Sequence, residues 1–325
     1  MSIQRVLITG AAGFIGSHLV EACIAAGYEV RVLLRYNSRS SRGWLEGLDC
    51  ERRLEVIAGD VRDPDQVSRA VRGVDTVFHL AALIGIPYSY ESPLAYVKTN
   101  VEGTANVLIA AREHHVDNVI LTSTSETYGS AQRVPMDESH PAVAQSPYAA
   151  TKIAADQLGL SFARSFGLGV KIVRPFNTYG PRQSLRAIVP TIITQLLSGD
   201  EVAVGSTHPT RDLTFVTDTV AGFLAVARSD QLAGSAVNIG MGKEISIGAL
   251  AEMIARLMGV GARIVTSAER QRPEASEVDR LLCDNTRLIA ATGWTPVHGL
   301  ESGLNETIAW FRRQGRIATA GSYHV

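Results

Sequence analysis

An apolar run from Ile3 to Thr9 opens directly into GAAGFIGSHL, with glycines at positions 10, 13 and 16. Glycines so spaced between a strand and a helix permit a tight turn, close approach of backbone N–H groups to a pyrophosphate, and close packing of helix on strand. The chain therefore starts as strand, phosphate turn and helix, the helix beginning at about Phe14. Gly10, Gly13 and Gly16, with Phe14 and Ile15 in the first helical turn, are candidate dinucleotide contacts.

The pattern repeats downstream. Short β-like runs at Glu29 to Leu34, Leu54 to Ile57, Thr76 to Leu80, Val119 to Thr122 and Val170 to Val173 alternate with helical segments. Those around Leu7, Val77, Ile120 and Ile172 are almost purely apolar, as strands covered on both faces must be. The expected class is α/β, a Rossmann-type doubly wound parallel sheet over residues 1–175. After Pro175 turn signals crowd in, and residues 176–325 read as a smaller C-terminal α/β substrate domain, with about 213–240 returning to the first unit.

Composition narrows the function. At 325 residues and 46% hydrophobic the chain can bury a large core. Its 31 basic and 32 acidic residues leave a net charge of -1 with no basic block, which argues against nucleic acid as a partner. Three widely spaced cysteines without CxxC spacing point to reduced thiols and a cytoplasmic setting. Neither a leader-like start nor an 18-residue apolar run is visible, so no membrane association is expected. His79 and the pair His114-His115 lack metal-site spacing, and no metal is expected.

Three further stretches carry chemistry. Gly59-Asp60 closes the third strand, where an acid can accept from an adenine amino group. The second strand ends RVLLRYNSRSSR, placing Arg35, Arg39 and Arg42 where an acid would grip a ribose hydroxyl; a guanidinium suits a 2′-phosphate, so both NAD and NADP stand as cofactors. SPYAATKIAADQ then starts a helix with Ser146 as cap and Pro147 first. Tyr148 and Lys152, four apart, share one helix face, and the helix end and ammonium are both expected to favour the phenolate.

With GAAGFIGSHL, Gly59-Asp60, HLAA at 79–82, Asn100 in KTNVEGT, TSTSETYG at 122–129, YAATK and RPFNTYGPRQ, the sequence resembles the extended short-chain dehydrogenase/reductases of the NDP-sugar epimerase/dehydratase family over essentially its whole length. The resemblance implies a cofactor site that also draws on Asp60, Val61, Leu80, Ala81, Ala82 and Asn100. It makes Thr124 the active-site hydroxyl, Tyr148 the base and Lys152 its orienting partner at the nicotinamide ribose. Asn177, Arg182, Arg211 and Arg272 become substrate contacts, and a homodimer through a four-helix bundle is implied.

Within that family the chain looks most like the 4,6-dehydratases of the legionaminic-acid pathway, which act on UDP-N-acetylglucosamine. Oxidation at carbon 4 would acidify the carbon 5 proton for Glu126 to remove, water would leave carbon 6, and hydride would return there. Many sugar-nucleotide 4,6-dehydratases have Thr-Asp-Glu where this chain has Thr124-Ser125-Glu126, so that either Glu126 serves both proton transfers or Ser125 relays through water. Thr-Ser-Glu also occurs in UDP-glucuronate decarboxylases, whose site holds an arginine matching Arg211. Decarboxylation is therefore the rival expectation and 4-epimerisation a further one.

Overall fold

The computed structural model describes residues 3–38, 41–267 and 278–314. Its strands are β1 (Arg5–Thr9), β2 (Glu29–Leu34), β3 (Leu54–Ala58), β4 (Thr76–His79), β5 (Asn118–Thr122), β6 (Val170–Pro175), β7 (Asn177–Tyr179), β8 (Glu201–Val204), β9 (Thr210–Phe215), β10 (Ser235–Ile239), β11 (Glu244–Ser246) and β12 (Arg263–Thr266). The helices are α1 (Phe14–Ala25), α2 (Pro64–Val71), α3 (Ile86–Glu91), α4 (Pro93–Tyr96), α5 (Gly103–Glu113), α6 (Pro147–Phe166), α7 (Ile188–Ser198), α8 (Val216–Arg228), α9 (Ile247–Met258), α10 (Thr286–Thr292) and α11 (Leu300–Arg313).

Seven strands form one sheet in the order β10-β6-β5-β4-β1-β2-β3, and every pairing is parallel. One face packs on α1 and α8 through Leu19, Val20, Cys23, Val220 and Phe223. The other is covered through Val67, Val71, Val107, Leu108 and Ala111 of α2 and α5. Covering on both faces is why these strands carry so few polar residues, and a parallel sheet needs helical crossovers to connect it. This is a Rossmann-like α/β fold. Strand order reverses between β1 and β4, the crevice where ligands settle in such sheets.

A second core lies beyond β6. Two smaller sheets, β11-β9-β7 and β12-β8, pack with α7, α9 and α11 around Ile192, Leu213, Phe215, Leu250, Ile254 and Phe311. Phe14 and Ile15 lie against this second core, so the turn that follows the glycine loop touches both units. Between β4 and β5 the chain runs as one nearly continuous helix from Pro93 to Glu113, interrupted by a π-helical segment at Val97–Glu102. Such wide turns commonly mark functional positions. This one carries Asn100.

Candidate active site

The glycine loop crosses the end of the sheet. Gly10 has φ +71°, and a Cβ there would come within 2.7 Å of the Leu80-Ala81 backbone, so β1 and β4 touch through it. At Gly16 a Cβ would lie 2.2 Å from the Gly10 carbonyl, which explains that glycine by helix-to-strand packing. Gly13 differs. Its φ of -82° suits any residue, and a Cβ would meet only the Gly10 carbonyl, at 3.2 Å. What the missing side chain leaves open is space outside the protein, at the N-terminus of α1, which has no side-chain cap and no acid in its first turn. Uncapped N–H groups and the helix dipole make that space fit a pyrophosphate.

The rest of the expected cofactor surface divides. Arg35 is exposed and, with Ala58, Gly59, Asp60, Arg62 and Gln66, lines a cavity of about 510 Å³. The Asp60 carboxylate is held by Arg62, Nε to Oδ1 at 2.9 Å and Nη2 to Oδ2 at 2.6 Å, and this pairing keeps it below the usual carboxylate range. Val61 packs on Gly103 and its carbonyl accepts from Asn106 at 3.0 Å. Arg42 pairs with Glu51 at 2.9 Å. Arg39 and Arg272 lie outside the described residues.

The β4 end is fixed by a chain of hydrogen bonds. The Ala81 N–H donates to Thr9 Oγ1 at 3.2 Å, Thr9 Oγ1 meets His79 Nδ1 at 2.8 Å, and His79 Nε2 meets Thr104 Oγ1 at 3.1 Å. Since Thr104 spends its own proton on the Asn100 carbonyl, the network assigns the ring hydrogen to Nε2. Burial pushes the imidazole down to about 3, so it is neutral. Asn100 itself accepts from Leu83 N–H at 2.8 Å and donates to Leu83 O at 2.9 Å and Thr151 Oγ1 at 3.1 Å. Its amide clamps the segment after Ala82 onto α6.

The candidate proton-handling groups meet where β5 ends. Ser146 caps α6 by accepting from Ala149 N–H at 3.1 Å, with Pro147 in the first turn, which delivers Tyr148 and Lys152 to one buried face. Lys152 Nζ donates to the Thr122 carbonyl at 2.5 Å. Thr124 accepts from the Glu126 N–H at 3.2 Å, opening the 3₁₀ turn Ser125–Tyr128, and its side chain is hydrogen-bonded to Tyr148. Glu126 sits close enough to Tyr148 to oppose its ionisation. Among the described residues no cation or donor holds the Glu126 carboxylate, whereas Ser125 is buried. Tyr96 stacks edge-on against Tyr148, ring centroids 6.3 Å apart, and donates to the Gly85 carbonyl at 2.5 Å.

One expectation is overturned. Rather than moving toward neutrality, the Tyr148 phenol rises above its ordinary 10.0, because burial outweighs the stabilising Thr124 hydrogen bond and the Glu126 charge adds to it. Lys152 takes the shift instead: burial lowers it to about 8, against the pull of Asp156.

The substrate candidates are scattered. Asn177 Oδ1 is sealed from solvent with no hydrogen-bond partner among the described residues, an orphaned acceptor that suits a ligand donor. Arg182 turns to α1, donating to Glu21 Oε2 at 2.6 Å and Ser17 Oγ at 3.2 Å. Arg211 donates to the carbonyls of Thr210 and Val278, both at 2.8 Å.

Sequence reasoning passed over two buried residues beneath the site. Asp156 lies one turn beyond Lys152, and Arg174 sits in β6. Both left a signal: a carboxylate on the Tyr148-Lys152 helix face, and an arginine inside an apolar strand, which must find a partner.

The comparisons agree with this geometry. The family profile described as GDP-mannose 4,6 dehydratase matches residues 7–307. A dTDP-glucose 4,6-dehydratase of Streptomyces niveus is 34% identical over 317 residues, covering 95% of this chain and 93% of the relative. A UDP-N-acetyl-alpha-D-glucosaminuronate decarboxylase of Bacillus cytotoxicus is 34% identical, covering 95% and 98%. The crystal structure of DesIV, a dTDP-glucose 4,6-dehydratase of Streptomyces venezuelae with NAD bound, superposes with a TM-score of 0.86 at 32% identity over 95% of this chain and 97% of that one. The chain belongs to the NDP-sugar dehydratase/epimerase family of extended short-chain dehydrogenases/reductases, a family of NAD-dependent sugar-nucleotide enzymes.

Proposed function

We propose that this protein is a 4,6-dehydratase that converts UDP-N-acetylglucosamine to the 4-keto-6-deoxy sugar, using NAD or NADP bound along the glycine loop. The observation that carries this reading is the Glu126 carboxylate, unclaimed by any described donor and close to Tyr148. When bound, the oxidised dinucleotide supplies a reversible two-electron acceptor and a positive charge. Against the upward push of burial, that positive charge and the neighbouring Lys152 ammonium would favour the phenolate of Tyr148, which then accepts the carbon 4 hydroxyl proton with Thr124 sharing the hydrogen bond. Glu126 takes the carbon 5 proton once carbon 4 is a ketone. Because Ser125 cannot match a carboxylic acid as a donor, Glu126 also returns a proton to the oxygen leaving carbon 6, general acid-base help worth roughly 100- to 10,000-fold.

Arg35 at the open cavity favours a 2′-phosphate. The reading extends to a homodimer: Leu94, Val97 and Ile109 are exposed apolar side chains on the 93–113 helix run, suited to packing against a matching helix pair.

Two observations favour a second reading, UDP-glucuronate decarboxylation. The serine at 125 removes the acid that dehydration uses, and the Bacillus cytotoxicus decarboxylase is as similar as the dehydratase. Incubation with UDP-N-acetylglucosamine and, separately, UDP-glucuronate, followed by product mass, decides. Dehydration removes water from the first; decarboxylation removes carbon dioxide from the second. Unchanged mass with an altered proton spectrum would mean 4-epimerisation.

A further inference from the structure

Beneath the proton-handling groups lies a buried polar cluster that belongs to none of the steps above. Asp156 Oδ2 accepts from Ser123 Oγ at 2.9 Å, Arg174 Nε at 3.1 Å and Arg174 Nη2 at 2.9 Å. Arg174 Nη1 donates to Tyr128 Oη at 3.1 Å, and Tyr128 donates in turn to Asn238 Oδ1 at 2.6 Å. All five residues are at most 7% exposed.

The placement of their anchors is informative. Ser123 stands between Thr122, whose carbonyl receives Lys152, and Thr124, which is bonded to Tyr148. Tyr128 ends the 3₁₀ turn that carries Glu126. Asp156 lies on the helix that carries Tyr148 and Lys152. One ion pair thus ties together the three pieces of backbone that bear the hydroxyl, the acid and the phenol-ammonium pair. A matched apolar pair would fill the same space with less desolvation cost, so stability alone does not call for two buried charges here. Directional hydrogen bonds, unlike apolar contact, set register between elements.

We propose that Asp156 and Arg174 are positioning residues that hold the Thr124–Glu126 segment in register with Tyr148 and Lys152. The inference rests on the proposed roles of those groups, and a displacement of about 1 Å in such a constellation costs on the order of 100-fold in rate.

The test uses Asp156→Asn and the double variant Asp156→Leu/Arg174→Met. The single variant leaves a buried guanidinium unpaired and loses stability; the double variant recovers it while losing the register. In the double variant, a crystal structure should show the Thr124–Tyr148 hydrogen bond broken. Stopped-flow reduction of dinucleotide on mixing with nucleotide sugar should fall about 100-fold in kcat, with KM and dinucleotide Kd within twofold of wild type. A folded double variant that keeps the hydrogen bond and the wild-type rate overturns the proposal. If the wild type oxidises no nucleotide sugar, the functional reading has failed, and the crystal structure alone still decides the positioning role.

Discussion

Lys152 offers the cleanest physical test, because its cost is written in pH. Its ammonium is buried, and burial holds its pKa at about 8 instead of 10.5. The folded protein therefore binds fewer protons than the unfolded chain between those values, and stability must rise with pH across that window. That depression corresponds to ~3 kcal/mol. Between pH 7 and pH 10 most of it, ~2 to 3 kcal/mol, is recovered. Replacing Lys152 by Met removes the titrating group at similar length and leaves the Thr122 carbonyl without its donor, an offset that does not depend on pH. Urea unfolding of both proteins from pH 7 to 10 isolates the effect as a difference of differences, in which Tyr148 and the other shared groups largely cancel. Wild type should gain ~2 to 3 kcal/mol on the variant over that range. A flat difference, or one that falls with pH, would refute the claim that the folded site holds a desolvated cation.

Three further outcomes are expected. Glu126→Gln should lower turnover of UDP-N-acetylglucosamine by about 100-fold or more while dinucleotide Kd stays unchanged, measured by product mass and by fluorescence titration. Gly16→Ala should cut the thermal midpoint, since its Cβ would overlap the Gly10 carbonyl, whereas Gly13→Ala should leave the midpoint nearly intact and weaken dinucleotide binding; calorimetry with and without ligand separates the two. Arg35→Ala should weaken NADP about tenfold or more with little change for NAD, read by isothermal titration, because only the 2′-phosphate meets the guanidinium.

Some features were legible because their physics is local. The glycine loop is seven residues whose spacing alone dictates turn, donor row and helix start. The Ser146 cap and the Tyr148-Lys152 face follow from helix geometry within one turn. The apolar strands announced a sheet covered on both sides, and Glu29 to Leu34 emerges with the expected bounds.

What needed the tertiary structure was every quantity that depends on what lies across the fold. Helix end and ammonium pointed to a phenol shifted toward neutrality, yet burial by surrounding elements dominates Tyr148. Arg182 carries a positive φ of +69° and pairs with Glu21, 161 positions away in sequence, an encounter that no local pattern encodes. Likewise Arg174 meets Asp156 only because β6 pairs with β5 in parallel and α6 crosses between them. The sequence by itself determined the alternation of strand and helix, the glycine turn and the candidate proton-handling side chains. The folded chain decided their environments, since desolvation and ion pairing arise from neighbours brought together by sheet pairing and core packing rather than by adjacency in the chain.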